Sequence, residues 1–388
     1  MNKKLNIAIF TDNFLPGVGG TENATVNIAT ELVNKGHNVL VVAPKYKTDC
    51  QKNLPFKVVR KASIKIDAND YYALPFFNHN IFKKVDNFKP DIVHCQTQAS
   101  MLSLALKYAK KRKIPCISTI HTKFSFAYHD AVKCKFLVNI ALKKIGKKLK
   151  KADLVTAVSY SMGQEFKLYG YNGKFEVIKN GACFSPVPDV EQNKLLAKKQ
   201  FNFLNSDNIL LFVGRLTKVK NISFIFDALD NLFITNKNFK FVIVGTGEDA
   251  KYFKNLANTK PYKNNVLFLG QITDKALLSS IYANAKLFLF PSIFDTDGLT
   301  VVESALNKVP SIVLENTGAS ERITNNQNGF TIANNPQEMA EKIDFLLKNP
   351  AILQKVGQNA SLQLPHTWSE MVDKYLDLYY QVLDKKTK

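Results

Sequence analysis

Cysteine is sparse in this chain, and its cysteines form no recognisable framework. Five cysteines are scattered over 388 residues, their number is odd, and none lies in a Cys-x-x-Cys motif. Disulfide-stapled secreted domains and zinc knuckles both need denser and regularly spaced cysteines. The sequence therefore predicts reduced thiols and a cytoplasmic protein.

Long apolar runs are missing as well. No segment approaches the roughly 20 consecutive apolar residues that cross a bilayer as a helix. Residues 1–10 lead straight into an apolar strand and lack the small-residue cleavage site of a secretory signal. We therefore expect neither a membrane span nor a signal peptide.

Acidic residues are few relative to basic ones. The chain has 53 lysines and arginines against 32 acidic residues, a formal charge of +21. Such an excess attracts polyanions, which include nucleic acid, acidic membrane surfaces and phosphorylated substrates. A lysine-rich genomic composition would produce much of the same excess without any function. Nucleic acid is the disfavoured partner, because the basic residues are not interleaved with aromatic residues that could stack on bases.

Short apolar segments alternate with helical patterns in both halves of the chain. The predicted strands are residues 5–10, 39–43, 91–94, 116–120, 154–158, 177–178, 209–213, 239–244, 266–269, 286–290 and 311–314. This alternation predicts an α/β protein with two doubly wound parallel sheets, and the length favours two domains. We place the domains at residues 1–185 and 200–366, with the linker within 181–207.

The segment 290–306 is the strongest candidate for chemistry. An apolar strand leads into a turn with Asp295, Asp297 and Gly298, and a helix with Glu303 follows. The first amides of a helix have no partner within it and can bind an anion. Here these amides belong to Gly298, Leu299 and Thr300. Carboxylates on either side of an anion site suit a nucleotide-activated sugar, whose hydroxyls they can bind.

Asp295-Thr-Asp297 also reads as Asp-x-Asp, a pattern that can hold a divalent metal in sugar-nucleotide enzymes. A basic pair, Arg215 and Lys220, follows the first strand of the second half and offers cations for a diphosphate instead. We therefore expect no metal and no other cofactor. These two cations would stabilise the charge on a departing diphosphate, although a solvated basic loop is the plainer interpretation of either residue alone.

Three further loops follow strands, where ligands bind in sheets of this type. Gly19 and Gly20 lie after the first strand, but they do not form Gly-x-Gly-x-x-Gly, which disfavours a nicotinamide cofactor. His121 follows a strand and can hydrogen-bond a sugar hydroxyl. Gly247 lies in a loop whose amides could border a nucleotide. A plain turn explains the glycines equally well, and a lone histidine is more often structural.

The segment 133–151 has eight lysines and no acid. As a helix it carries an ordinary core stripe on one side and most of its lysines on the other. Apolar residues on the lysine side suit an acidic bilayer surface. The membrane candidates are Phe136, Ile140, Lys143, Lys144, Lys147 and Lys148. The alternative is a lysine-coated face in solvent.

Taken in order, these motifs resemble the family 4 retaining glycosyltransferases of the two-domain GT-B fold. The resemblance covers almost the whole chain. It includes Val177-Ile-Lys-Asn-Gly181, Gly214-Arg-Leu216, Val244-Gly-Thr-Gly247, the segment 295–303 and a final helix that begins near Trp368. It implies a nucleotide-sugar donor and no bound metal. It also implies that residues 367–388 cross back to complete the first domain.

The resemblance implies a role for each matching residue. Arg215 and Lys220 would hold the donor diphosphate, Glu303 the ribose, and Asp295 would face the sugar. The amides of Gly298, Leu299 and Thr300 would lie beside sugar and phosphate. His121 would lie near the sugar, with the loop of Gly19 and Gly20 closing over it. Two departures stand out: Asp295 replaces the usual glutamate, and Cys183 replaces a common aspartate.

Within the family, residues 295–300 and the sequence after His121 are similar to the diacylglycerol glucosyltransferases. The resemblance and the basic segment together predict hexose transfer from a UDP-sugar to a lipid acceptor at the inner face of the plasma membrane. Three alternatives remain: a transferase of surface polysaccharide or lipopolysaccharide with a glycan acceptor, a non-catalytic sugar-binding protein, and a basic nucleic-acid-binding protein.

Overall fold

The computed structural model describes residues 3–17, 19–47, 53–65, 71–74, 78–125, 135–182, 190–204 and 207–387. The chain divides into two compact units, one of residues 1–181 and 367–388 and the other of residues 182–366. Each has its own apolar core. Among the described residues, no helix is both long and apolar enough to cross a membrane.

The first unit is built on a parallel sheet. Its elements up to residue 181 are β1 (Asn6–Phe10), α1 (Gly20–Asn34), β2 (Asn38–Pro44), β3 (Lys57–Lys61), β4 (Ser63–Lys65), β5 (Tyr71–Ala73), α2 (Asn78–Asp86), β6 (Ile92–Cys95), α3 (Ser100–Arg112), β7 (Cys116–Ile120), α4 (Lys135–Leu149), β8 (Leu154–Ala157), α5 (Tyr160–Leu168) and β9 (Glu176–Val177). Seven strands pair in the order β3-β2-β1-β6-β7-β8-β9, and β4 and β5 form a separate antiparallel pair. The strand order reverses between β1 and β6, so the loops that follow these strands border the crevice where such sheets bind ligands.

The second unit repeats this plan. Its elements are α6 (Val190–Phe201), β10 (Ile209–Val213), α7 (Ile222–Thr235), β11 (Lys240–Val244), α8 (Ala250–Asn258), β12 (Val266–Gly270), α9 (Lys275–Asn284), β13 (Leu287–Phe290), α10 (Leu299–Leu306), β14 (Ser311–Leu314), β15 (Phe330–Ile332), α11 (Pro336–Lys348) and α12 (Pro350–Gln363). Six parallel strands pair in the order β12-β11-β10-β13-β14-β15, and the order reverses between β10 and β13. Both of these central strands are fully buried apolar runs, as a sheet covered on both faces requires.

The last helix, α13 (Trp368–Thr387), belongs to the first unit although its sequence follows the second. It packs beside α1 and buries Tyr375 and Tyr379. The Tyr379 hydroxyl lies 2.5 Å from Nδ1 of His94 on β6, so the helix is anchored to the sheet by a buried polar contact as well as by apolar packing.

The expected linker within 181–207 contains a packed helix, and the second unit begins at residue 182 rather than at 200. Helix α6 lies against α9, where Ala197 is fully buried and its amide donates to the Ser280 hydroxyl at 2.8 Å. The prolines and Cys183 that suggested a linker and a departure from the family pattern fall at 183–189, outside the described residues. The sequence also missed the edge strands β3 and β15, which are short and, in β3, rich in basic residues.

Candidate active site

The loops after β10 and β13 lie side by side, because these strands are neighbours in the sheet. An ion pair joins the loops: Nζ of Lys220 lies 2.6 Å from Oδ2 of Asp295. The same ammonium lies 5.2 Å from the centre of the Phe290 ring. The Asn221 side-chain amide adds a hydrogen bond to the Pro291 carbonyl at 3.2 Å. The structure thus brings together two residues that are 75 positions apart in sequence and were predicted to act on one donor.

Asp295 is held as a carboxylate. Its Oδ1 accepts hydrogen bonds from the amides of Asp297 at 3.1 Å and Gly298 at 2.5 Å. Burial by itself would raise the pKa of Asp295, but the Lys220 ammonium and these two amides outweigh it and hold the pKa below its ordinary value. Because the Gly298 amide is already engaged by Asp295, the amides of Leu299 and Thr300 remain for an anion at the start of α10.

The start of α10 requires glycine. Gly298 has φ of +68°, a left-handed conformation that glycine adopts without strain, and an added Cβ would come 3.0 Å from Cβ of Ala319. Two residues further on, within the first turn of α10, the Thr300 hydroxyl is buried and has no hydrogen-bond partner among the described residues. Burying a hydroxyl without a hydrogen-bond partner destabilises the folded protein. An oxyanion bound at this helix end would accept a hydrogen bond from the Thr300 hydroxyl.

Asp297 does not share a site with Asp295. Its side chain is buried and forms an ion pair with Arg322, whose own side chain is 2% exposed. The Arg322 guanidinium also donates from Nε to the Asp297 carbonyl at 2.7 Å. The second carboxylate of the Asp-x-Asp pattern therefore ties the turn to the segment after β14, and Arg322 is a positioning residue that no sequence pattern predicts.

Glu303 lies on α10 and is partly buried. Tyr282 on α9 donates a hydrogen bond from its hydroxyl to Oε2 of Glu303 at 3.1 Å. Burial raises the pKa of Glu303 to about 7, although Tyr282 and the charge of Lys275 both favour the ionised form. This carboxyl therefore changes its charge near neutral pH, in contrast to Asp295.

The remaining predicted residues of the second unit lie in the loops after β10 and β11. Arg215 is exposed and forms no ion pair with any residue that the structure describes. These two loops approach very closely: an added Cβ on Gly245 would lie 1.9 Å from the Gly214 carbonyl oxygen, and one on Gly247 would lie 2.3 Å from that of Leu216. Both glycines are thus required by packing, whatever their amides bind.

The predicted residues of the first unit follow β1 and β7. Gly20 begins α1 and Gly19 precedes it in an extended conformation. His121 is buried, and its Nε2 lies 2.6 Å from Oε1 of Gln96. The same edge of the sheet holds Asp12, which the sequence analysis missed. Its carboxylate accepts hydrogen bonds from the amides of Ser100 and Met101, both at 3.1 Å, and so satisfies the start of α3.

The predicted membrane residues lie on α4. Phe136 and Leu137 are 71% and 55% exposed, and Ile140 is 37% exposed. Lys143, Lys144 and Lys147 are also exposed, and we refer to these six residues as the α4 basic face. Lys148 differs from the prediction because it is partly buried, and burial lowers its pKa. Leu137 is an addition that the helical pattern did not reveal, and Lys133 lies outside the described residues.

Comparison with known proteins defines the class. Residues 18–183 match the model of the family described as Glycosyltransferase Family 4, and residues 193–363 match that of Glycosyl transferases group 1. The chain belongs to family 4 of the GT-B glycosyltransferases and is a transferase enzyme, which confirms the family and the fold predicted from the sequence.

Individual relatives and solved structures resemble this chain over nearly its whole length. An alpha-monoglucosyldiacylglycerol synthase of Acholeplasma laidlawii is 27% identical over 99% of both chains. A glycosyltransferase structure from Rickettsia africae superposes with a TM-score of 0.75 at 20% identity, covering 99% of both chains. The structure of Anabaena Alr3699/HepE, described as a complex with UDP and glucose, superposes with a TM-score of 0.73 at 18% identity, covering 97% of this chain and 99% of that one.

Proposed function

We propose that this protein transfers a hexose, with glucose the first choice, from a UDP-sugar to a membrane lipid such as diacylglycerol. The choice of a lipid acceptor rests on the similarity to the Acholeplasma synthase over 99% of both chains. The UDP and glucose in the Anabaena structure support the choice of donor. The second unit binds this donor, with the diphosphate near Lys220, Arg215 and the start of α10.

The reaction proceeds with retention at the anomeric carbon. The bond from C1 to the phosphate oxygen breaks, a bond from C1 to the acceptor oxygen forms on the same face, and the acceptor proton passes to the leaving phosphate. Lys220 lies 2.6 Å from Asp295, so the ammonium already faces the carboxylate that would lie beside the sugar. Charge on the leaving diphosphate is stabilised by Lys220, Arg215 and the amides of Leu299 and Thr300. These residues supply the cationic environment without a divalent metal.

A transfer assay tests this function. We expect the purified protein to release UDP from UDP-glucose only slowly in buffer and much faster with diacylglycerol in anionic vesicles, with an α-linked glucolipid as the product. UDP-galactose and UDP-N-acetylglucosamine serve as competing donors, and Glu303→Ala protein serves as the inactive control. Transfer to soluble glycans alone would replace the lipid acceptor by a glycan. No nucleotide release from any donor would refute the proposal.

We also propose that the α4 basic face docks on the inner surface of the plasma membrane. Three exposed apolar side chains beside three exposed lysines combine insertion with attraction to anionic lipids. Opposite them, Val138, Leu142 and Ile145 are buried, so the helix is fixed in the first unit by its other side.

Removing charge from this face should weaken vesicle binding. For Lys143→Gln with Lys147→Gln, we expect binding to vesicles rich in phosphatidylglycerol to fall roughly 30-fold, since each lysine near an anionic surface contributes about 1 kcal/mol. Co-sedimentation over a lipid titration measures this. The matched control is Lys251→Gln with Lys355→Gln, two exposed lysines of the second unit. Equal losses in the two pairs would mean that net charge, and not the α4 basic face, drives binding.

A further inference from the structure

A buried glutamine connects two buried histidines at the edge of the first sheet. Gln96 follows β6 and is completely buried. Its Oε1 lies 2.6 Å from Nε2 of His121, and its Nε2 lies 3.2 Å from both ring nitrogens of His94. The two ends of one amide group thus face two different imidazoles.

The contact with Oε1 determines where the proton of His121 lies. A carbonyl oxygen can only accept a hydrogen bond, so Nε2 of His121 must be the donor. Burial lowers the pKa of His121 to about 4, so near neutral pH the ring has one proton. That proton is on Nε2, which leaves Nδ1 with a free lone pair. Nδ1 forms no hydrogen bond with the residues that the structure describes.

The other end of the amide faces His94. This ring is completely buried, and burial lowers its pKa to about 3, so it is uncharged and can accept from an amide N–H. Its own orientation is set on both sides: Nε2 lies 2.6 Å from the Thr119 hydroxyl, and Nδ1 lies 2.5 Å from the Tyr379 hydroxyl. The chain of contacts therefore runs from α13 through His94 and Gln96 to His121.

We propose that Gln96 is a positioning residue that fixes His121 as its Nε2–H tautomer and so presents Nδ1 as a hydrogen-bond acceptor for a substrate hydroxyl. The inference rests on the proposed glycosyl transfer, for which the family resemblance implies a place for His121 near the sugar. The inference also predicts which ligand groups can lie against Nδ1. A bare Nδ1 accepts from the O–H of a sugar and repels a carboxylate or phosphate oxygen at the same position.

The tautomer can be read without any activity. In protein labelled with ¹⁵N-histidine, long-range ¹H–¹⁵N spectra distinguish a protonated from a bare ring nitrogen. The chain has six histidines, and the signal absent from His121→Asn protein identifies the relevant ring. We expect Nε2–H in the wild type at pH 7 and a substantial population of Nδ1–H in Gln96→Leu. An Nδ1–H wild type, or an unchanged tautomer in Gln96→Leu, would overturn the proposal.

Two further variants separate tautomer control from general loss of packing. Gln96→Glu keeps an acceptor for Nε2–H, so the tautomer should persist while the added carboxylate raises the pKa of His121 above about 4. If Gln96→Leu does not fold, Gln96→Glu is the variant that tests the proposal. Gln98→Leu removes a neighbouring buried glutamine, whose amide donates to Ser118 and Thr119, and should leave the His121 tautomer unchanged. Loss of the Nε2–H form in either variant contradicts the proposal.

Transfer kinetics then relate the tautomer to catalysis. We expect kcat/KM for the donor to fall about tenfold in Gln96→Leu, the loss of about one hydrogen bond, and to recover in part in Gln96→Glu. If the spectra behave as expected but His121→Asn transfers at the wild-type rate, the place near the sugar that the resemblance implies for His121 is wrong, while the tautomer assignment stands.

Discussion

Lys220→Ala should lower kcat for transfer roughly 10²- to 10³-fold, whereas Lys218→Ala should stay within about twofold of the wild type. The larger loss is the usual effect of removing one preorganised group that stabilises charge in a transition state. Lys220 is the cation that already faces Asp295 at 2.6 Å, and its side chain is only 24% exposed, so its charge acts in a partly dehydrated setting. Initial rates at saturating UDP-sugar and lipid measure the effect.

Lys218 is a matched control because it lies two residues away in the same 3₁₀ turn, Lys218–Lys220. It is exposed, and its ammonium lies 5.8 Å from the centre of the Tyr252 ring, so it faces α8 and not Asp295. Equal losses from Lys218→Ala and Lys220→Ala would mean that the general basic character of the loop matters and that the ion pair with Asp295 has no special role.

Lys220→Ala should also change the titration of Asp295. In the wild type the pKa of Asp295 is held low against the effect of burial, chiefly by the Lys220 charge. Without that charge the carboxyl should remain protonated to a higher pH, so part of the residual activity should return as the pH rises. Lys220→Arg retains a charge, and its activity should lie between those of the wild type and Lys220→Ala.

The sequence was sufficient for those parts of the fold that depend on local pattern. Strands such as β10 and β13 are continuous apolar runs because both of their faces are covered, and this pattern is visible without a structure. β3 was missed for the opposite reason: it lies at the edge of its sheet and carries Lys57, Arg60 and Lys61. The helix α6 was hidden because the surrounding prolines suggested a linker.

In the candidate site, the sequence pattern predicted the residues that follow strands but not the residues that contact them. Lys220, Asp295 and Glu303 are in loops or helix starts that the strand–helix alternation already marks. Arg322 is 25 positions from Asp297, and no spacing rule connects them. Gln96 could not be predicted either, since its importance comes from lying between His94 on β6 and His121 after β7. Contacts that depend on the packing of several strand ends require the folded structure.

Glu303 should impose a pH dependence on donor use. Burial raises the pKa of this carboxyl to about 7, so at pH 6 about nine-tenths of the free enzyme has it protonated and at pH 8 about nine-tenths has it ionised. Ribose hydroxyls donate to a carboxylate more strongly than to a neutral carboxylic acid. We therefore expect kcat/KM for UDP-glucose to rise nearly tenfold from pH 6 to pH 8, with a midpoint near 7.

Binding of the donor should release a proton in the same range. The hydroxyls stabilise the ionised form, so the pKa of Glu303 falls in the complex, and protein that was protonated must lose its proton. Calorimetry in buffers of different ionisation enthalpy measures this release, which we expect to be largest just below pH 7 and absent at pH 8.5. The buried histidines do not interfere, because the pKa values of His121 and His94 lie at about 4 and about 3.

Glu303→Gln should remove both the pH dependence and most of the donor affinity. Its amide cannot ionise, so kcat/KM should be flat between pH 6 and pH 8. At pH 8 it should lie roughly 100-fold below the wild type, the loss of about two hydrogen bonds to a charged group. Tyr282→Phe is the companion variant: without the hydroxyl that donates to Oε2 at 3.1 Å, the pKa of Glu303 rises and the midpoint of the profile moves to higher pH. A wild-type pH profile in Glu303→Gln would show that another group titrates and would remove Glu303 from the donor site.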